Sequence, residues 1–178
     1  MPISAEELLA KIDKAYRVYY DPAEIRQGPP MLVAQYTYRR TDQAYVLTRK
    51  ATVWSAETHE HVFVFSVPHL TEALWRTCRD EALRRGMERI RPHSEHRCSM
   101  ITALVLCEES DAGALSAAER IRERKYFLFG FHGWMDFRSA VVVLNPPEVH
   151  VNKAAAEMQE FLQQNIQKCF ESQQGETS

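Results

Sequence analysis

The ten residues from Cys98 to Cys107 are almost uninterruptedly apolar and close on Leu104-Val105-Leu106. A strand with one wet face alternates apolar and polar residues, so a continuous run of this length reads as a strand buried on both faces. Such a strand needs cover on each side. The chain is therefore expected to place it centrally in a sheet with helices packed against it. Leu104 and Val142, which sits in a second apolar run from Phe137 to Leu144, are expected in neighbouring buried strands.

The rest of the chain supplies the partners. Ser4 and Glu7 form an S-x-x-E capping box, and Leu8, Ile12, Ala15, Tyr16 and Tyr19 follow at helical spacing. Asp21-Pro22 ends that helix. From Met31 the period changes to two, giving a strand, a polar turn at Arg40 to Gln43, a second strand over Ala44 to Ser55, a turn at Ala56 to Glu60, and a third strand at His61 to Phe65. Short connectors make these three an antiparallel meander. Thr71 caps a helix to about Ile90, and Ser116 with Glu119 offers a capping box for a short one. Tyr126 to Phe131 and Phe137 to Leu144 read as strands around Gly130-Phe131-His132-Gly133, and Val149 to Val151 as a short extended piece. Asn152 caps a last helix with Met158, Phe161, Leu162, Ile166, Cys169 and Phe170 on its core face. The expectation is an α+β fold: a mixed, largely antiparallel sheet with an N-terminal three-stranded meander, packed with about four helices. Residues 1–170 are expected to form one domain, and 171–178 a polar, disordered tail.

Two clusters carry chemistry. The first is Arg91-Pro92-His93-Ser94-Glu95-His96-Arg97, between a long helix and the central strand. In a helical turn His93 and His96 share a face and can chelate a divalent metal such as zinc, with His132 and Asp136 the candidates for a third ligand. The second is Gly130-Phe131-His132-Gly133-Trp134-Met135-Asp136. Here His132, oriented by Asp136, has the makings of a general base, and Glu95 of a further catalytic carboxylate. Arg91, Ser94, Trp134 and Arg138 are the candidate contacts for a bound small molecule. The alternative for the glycine-flanked histidine is a bulge or hairpin whose aromatic residues fill core.

Other classes fall away. A formal net charge of -2 argues against a generally cationic, nucleic-acid-coating protein, and no apolar run reaches the roughly 20 residues of a membrane span. Nucleic acid and membrane are thus not expected partners; a small molecule, a metal or a second copy of the chain is. The polar, acidic start is unlike a signal peptide, and Cys78, Cys98, Cys107 and Cys169 form no C-x-x-C pair, so reduced cysteines and a cytoplasmic setting are expected. Ser94 lacks a G-x-S-x-G elbow, and no G-x-G-x-x-G or Walker A pattern occurs. The opening α-β-β-β-α-β order resembles that of PD-(D/E)xK nucleases, but His61 to Phe65 has neither the acid nor the lysine which that family needs.

Lys50-Ala51-x-x-Trp54, Pro92-His93-Ser94-Glu95-His96, Gly130-x-His132-Gly133-Trp134-x-Asp136-x-Arg138 and the closing Asn152-Lys153 together resemble a family of uncharacterised proteins from clostridia-type bacteria. The resemblance spans roughly Leu8 to Phe161 and implies a bacterial, cytoplasmic protein with no assigned activity. Two functions from different classes follow from the residues. One is a small-ligand or divalent-metal-binding protein, with or without catalysis, using the His/Glu/Asp site. The other is a non-catalytic interaction or oligomerisation module, in which Trp54, Trp75 or Trp134 and the sheet tyrosines meet a partner.

Overall fold

A computed structural model describes residues 2–45 and 52–175. The Lys50-Ala51 pair lies outside the described residues. Helix α1 (Ala5–Tyr16) opens with the expected box: Glu7 N–H donates to Ser4 Oγ at 3.1 Å and Ser4 N–H to Glu7 Oε2 at 2.9 Å. Strand β1 (Asp21–Pro22) is antiparallel to β2 (Leu32–Tyr45), which is antiparallel to β3 (Thr52–Leu70). These three adjacent antiparallel strands form a meander, but from other segments than expected. Asp21–Pro22 supplies β1, and Ala44 to Ser55 is no separate strand, its ends belonging to β2 and β3 while residues 46–51 lie outside the described residues. Arg40 to Gln43 and Ala56 to Glu60 are not turns. They pair with each other, Arg40 with Thr58 and Asp42 with Ala56, in one long hairpin. Neither stretch holds a glycine or proline to force a reversal, and the Arg39–Glu57 ion pair at 2.7 Å ties the two strands across this polar ribbon.

Helix α2 (Glu72–Arg89), capped by Thr71 Oγ1 on Leu74 N, carries the chain to β4 (His96–Ser110), which lies parallel to β3. Helix α3 (Ala112–Arg120) leads to β6 (Trp134–Leu144), parallel to β4. Strand β5 (Arg124–Tyr126) and strand β7 (Pro147–Val151) pair antiparallel with β6, completing a mixed sheet of seven strands. Asp111, rather than Ser116, stands at the start of α3, and its carboxylate is engaged by His69 at 2.8 Å. The strand expected over Tyr126 to Phe131 stops at Tyr126, and Leu128–Gly130 form a single 3-10 turn. Asn152 caps a second 3-10 turn, Lys153–Ala155, ahead of α4 (Met158–Gly175). Its buried amide also accepts from Ser139 N at 3.0 Å and donates to Phe137 O at 3.0 Å, fastening that turn to β6.

Side-chain alternation divides the core in two. Phe63, Phe65, Ile101, Ala103, Val105, Met135 and Phe137 meet Trp75, Cys78 and Ala82 of α2 and Ala114 and Ala118 of α3. Tyr36, Val62, Val64, Leu104, Leu106, Ala140 and Val142 meet Leu8 and Ile12 of α1 and Leu162 and Ile166 of α4. Central β4 is therefore covered on both faces, as its apolar run requires. Leu104 and Val142 are fully buried on adjacent strands, with Leu106 opposite Val142. All four cysteines are buried free thiols. Among the described residues no helix is long and apolar enough to cross a membrane.

Candidate functional site

His59, His61 and Phe63 alternate along the face of β3 that α2 covers, and the loop after α2 brings His93 and His96 to the same face. Glu57 Oε2 lies 3.3 Å from His93 Nε2 and 3.3 Å from His59 Nε2, while Glu57 Oε1 takes Arg39 at 2.7 Å. Burial works to raise the Glu57 carboxyl, but the bonds from Arg39 and His93 outweigh it and hold it below the usual carboxylate range. His93 Nδ1 accepts from Glu95 N at 3.2 Å, so its other nitrogen carries the proton toward Glu57. His96 is 3% exposed. Its Nδ1–H donates to the His132 carbonyl at 2.6 Å, and its Nε2 is hydrogen-bonded with Ser99 Oγ at 2.8 Å.

The histidine loop and the glycine-flanked histidine do meet, but backbone to side chain. The 93–96 segment is a turn, not a helical face, and the His93 and His96 rings stand 6.4 Å apart with every nitrogen taken by a protein partner. His132 contributes its carbonyl to His96. Among the described residues no group of three or more His, Cys, Asp or Glu side chains is placed to hold a metal ion. The serine–histidine contact has the form of a nucleophile–base pair, yet Ser99 is fully buried, so it serves as a lock on β4. Asp136 falls on the opposite face, because Met135 and Phe137 on either side of it fill the α2 face. There Arg124 grips it with two 2.6 Å bonds and Trp134 Nε1 donates at 3.2 Å. Arg91 closes the end of α2 through the Glu88 and Ile90 carbonyls, and Ser94 and Glu95 are exposed in the turn.

His61 is the exception among these histidines. It is 7% exposed, and neither ring nitrogen has a hydrogen-bond partner. Burial, with Arg89 and His59 nearby, pushes its imidazole down to about 4. The unfolded chain, with an ordinary value of 6.5, therefore takes up the proton first as pH falls. Stability should be flat above that value and decline by about 3 kcal/mol as pH falls from it toward the folded one. Urea melts between pH 7 and pH 4.5 read this directly. His61→Leu should flatten the decline without lowering stability at pH 7. An unchanged acid slope in that variant would show that the decline has another source.

The other face of the sheet carries a pocket of about 530 Å³ between α1 and α4. Val62, Thr102 and Arg138 stand in one row across β3, β4 and β6, with Glu60 two residues before Val62 on the same face. Arg138 Nη1 lies 3.3 Å from Glu60 Oε2 and Nη2 lies 2.6 Å from Glu157 Oε1. The Tyr20 hydroxyl donates to Glu60 Oε2 at 2.6 Å. Arg138 and Glu60 are only 11% and 17% exposed. Arg138 Nε and Thr102 Oγ1 are buried without a hydrogen-bond partner. Tyr16, Tyr19, Tyr20 and Phe161 form the aromatic wall, with the Tyr16 ring 4.8 Å from Tyr20 and 5.2 Å from Phe161. Burial raises the Tyr16 and Tyr20 hydroxyls well above their ordinary value, aided at Tyr20 by Glu60, so both remain protonated donors at neutral pH.

Of the pocket's polar floor, only Arg138 is a sequence candidate. Glu60 sits in a stretch that reads as a turn, Thr102 is masked by its apolar neighbours, and Tyr16 reads as ordinary helix core. The available signal is the alternation Asp136-x-Arg138-x-Ala140-x-Val142, which puts charge on the same face as fully buried residues.

A protein-family model described as a domain of unknown function (DUF8052) matches residues 4–164. No curated protein and no solved structure matches the chain.

Proposed function

The chain belongs to that family, and we propose that it is a small-molecule-binding protein whose ligand sits on Thr102 and Arg138 between α1 and α4. One observation carries the reading: a charged pair and two unpartnered polar atoms interrupt the helix-covered face of the three central strands where it opens into an aromatic-walled pocket. Beyond the pocket, toward the C-terminal ends of these strands, that face is Val64, Leu104, Leu106, Ala140 and Val142, a packed apolar surface. Withdrawing an ion pair from water costs several kcal/mol per ion before the pairing is counted, and each unpaired buried polar atom costs about 1–3 kcal/mol. Local departures of this kind concentrate at functional sites, and an apolar pocket with a few convergent polar groups is the usual form of a small-molecule site.

The lining also states the ligand's chemistry. Tyrosine and phenylalanine rings suit a flat, largely apolar body. Arg138 Nε–H wants an acceptor and Thr102 Oγ1 a donor. Glu60 and Glu157 already balance Arg138, which disfavours a strongly anionic group. A planar molecule with an uncharged donor–acceptor edge, such as an aromatic amide, fits all three. The histidines are not assigned as metal ligands, because among the described residues they do not gather with other ligating side chains into a group that could hold an ion.

Thr102→Val tests the reading by separating stability from binding. It keeps the β-branched shape and removes a hydroxyl that nothing satisfies, so stability should rise by about 1 kcal/mol in urea melts. Benzamide, used as the probe, should raise the melting temperature of the wild type and raise that of Thr102→Val much less. Equal benzamide shifts in both proteins, or none in the wild type, would count against the pocket.

The second reading, an interaction module, is favoured by a different feature: the exposed aromatic loop between β5 and β6.

A further inference from the structure

Between Tyr126 and Trp134 the chain turns outward and presents large apolar side chains to water. Phe129 is 97% exposed, Phe131 79% and Leu128 57%. This loop shares no residue with the Arg138 pocket. Its shape is enforced rather than loose. Leu128 and Phe129 are both held in the left-handed region, at φ 47° and 54°, where side chains other than glycine are disfavoured. Chains keep such conformations where the surroundings over-determine them, commonly at sites of use. Here the surroundings are identifiable. The His96 imidazole holds the His132 carbonyl at 2.6 Å, and Gly133 lies directly against the backbone of Arg97. The two histidine motifs that stand out in the sequence thus converge on fixing the base of this loop.

We propose that the loop is a membrane-docking element, which inserts Leu128, Phe129 and Phe131 into the interface of an anionic lipid bilayer. Three features select this occupant. The first is that the turn pairs much of its own backbone: Gly130 N and His132 N donate to Phe127 O, Phe131 N to Leu128 O, Gly133 N to Gly130 O, and Phe127 N to Gly133 O, all between 2.9 and 3.1 Å. Each backbone group paired in this way enters an apolar medium at lower cost. The second is charge. The segment from Arg120 to Gly133 holds four cations and one acid within a chain of net charge -2, and with Arg124 paired to Asp136 the exposed Arg120, Arg122 and Lys125 remain on the stretch that leads to the apolar tip. A basic collar around an apolar tip matches an anionic surface, whereas two copies meeting tip to tip would bring like charges together. The third is that the tip's side chains stand out into water and are flanked by exposed Tyr126 and half-buried Trp134, side chains that favour the boundary between water and hydrocarbon. A bilayer accepts such a knob without supplying a matching groove.

Co-sedimentation with vesicles tests this. The wild type should pellet with vesicles of equal parts phosphatidylglycerol and phosphatidylcholine and remain mostly in the supernatant with pure phosphatidylcholine. The double variant Phe129→Ser/Phe131→Ser should lose on the order of tenfold in partitioning while melting at the wild-type temperature, since both side chains are exposed. Reversing the collar with Arg122→Glu/Lys125→Glu should weaken anionic binding while the aromatic tip is intact. The proposal is overturned if the wild type ignores anionic vesicles, or if the aromatic variant pellets equally well. It is also overturned if lipid-free sedimentation shows a wild-type dimer that the aromatic variant turns into a monomer, which would make the loop a contact between copies.

Discussion

Gly133→Ala should cost more than about 4 kcal/mol, a large share of the roughly 5–15 kcal/mol by which an ordinary domain is stable. A Cβ at this position would lie 2.1 Å from the Arg97 carbonyl oxygen and 2.6 Å from that of His96. Both obstacles are backbone at the start of β4, where Cys98 already pairs with Trp134, so neither can swing aside as a flexible side chain would. The φ of +76° adds the ordinary penalty for a side chain in the left-handed region, roughly 1–2 kcal/mol. Gly130→Ala isolates that penalty. Its φ is +94°, but its nearest neighbour is a Tyr126 ring carbon at 3.9 Å, an ordinary contact. Urea melts of the two variants should therefore differ by several kcal/mol. Equal losses would mean that β4 and the aromatic loop do not approach as closely as described.

Leu104→Ala should remove about 3 kcal/mol, within the range for a large-to-small change in a packed core. Leu104 is fully buried at the centre of the sheet, on the face covered by α1 and α4, with Ala140 opposite it on β6. Its small neighbour cannot expand into the cavity, and the parallel strands on both sides of β4 limit collapse. Val142→Ala, two residues beyond Ala140 on the same face, should cost less because fewer atoms are lost. Losses below about 0.5 kcal/mol in denaturant melts would place these strands at the periphery instead.

Both of those positions were legible from apolar runs alone, because burial on two faces leaves a pattern that no edge strand shows. The Ser4–Glu7 box and the Thr71 cap were legible for the same kind of reason, each being a local rule with a local outcome, whereas α1 ends at Tyr16, ahead of the expected Asp21-Pro22 stop, and that pair forms strand β1. What the pattern missed were consequences of pairing at a distance. Arg40 to Gln43 looks like a turn because it is polar, yet polarity also describes a ribbon that extends into water and is held by cross-strand partners such as Arg39 and Glu57. The meeting of His96 with His132 was visible as two clusters flanking sequential elements, but its character was not. Whether a histidine offers its ring or its carbonyl depends on which face a strand turns inward, and Met135 and Phe137 decide that by taking the α2 side. The Arg138 pocket was least legible. Its floor gathers single residues from β3, β4 and β6, and each one alone looks like a minor irregularity in an apolar strand.

The reading of that pocket is tested most directly by nuclear magnetic resonance of isotopically labelled wild-type protein titrated with benzamide at neutral pH. The account predicts saturable shifts of the Arg138 Nε–H and of the Thr102, Tyr16, Tyr20 and Phe161 signals, following one binding curve. The Arg138 Nε–H should move downfield as it gains an acceptor, and His61 on the opposite face should be unaffected. Shifts that do not saturate, or that scatter over the surface and leave Arg138 and Thr102 unmoved, would contradict it.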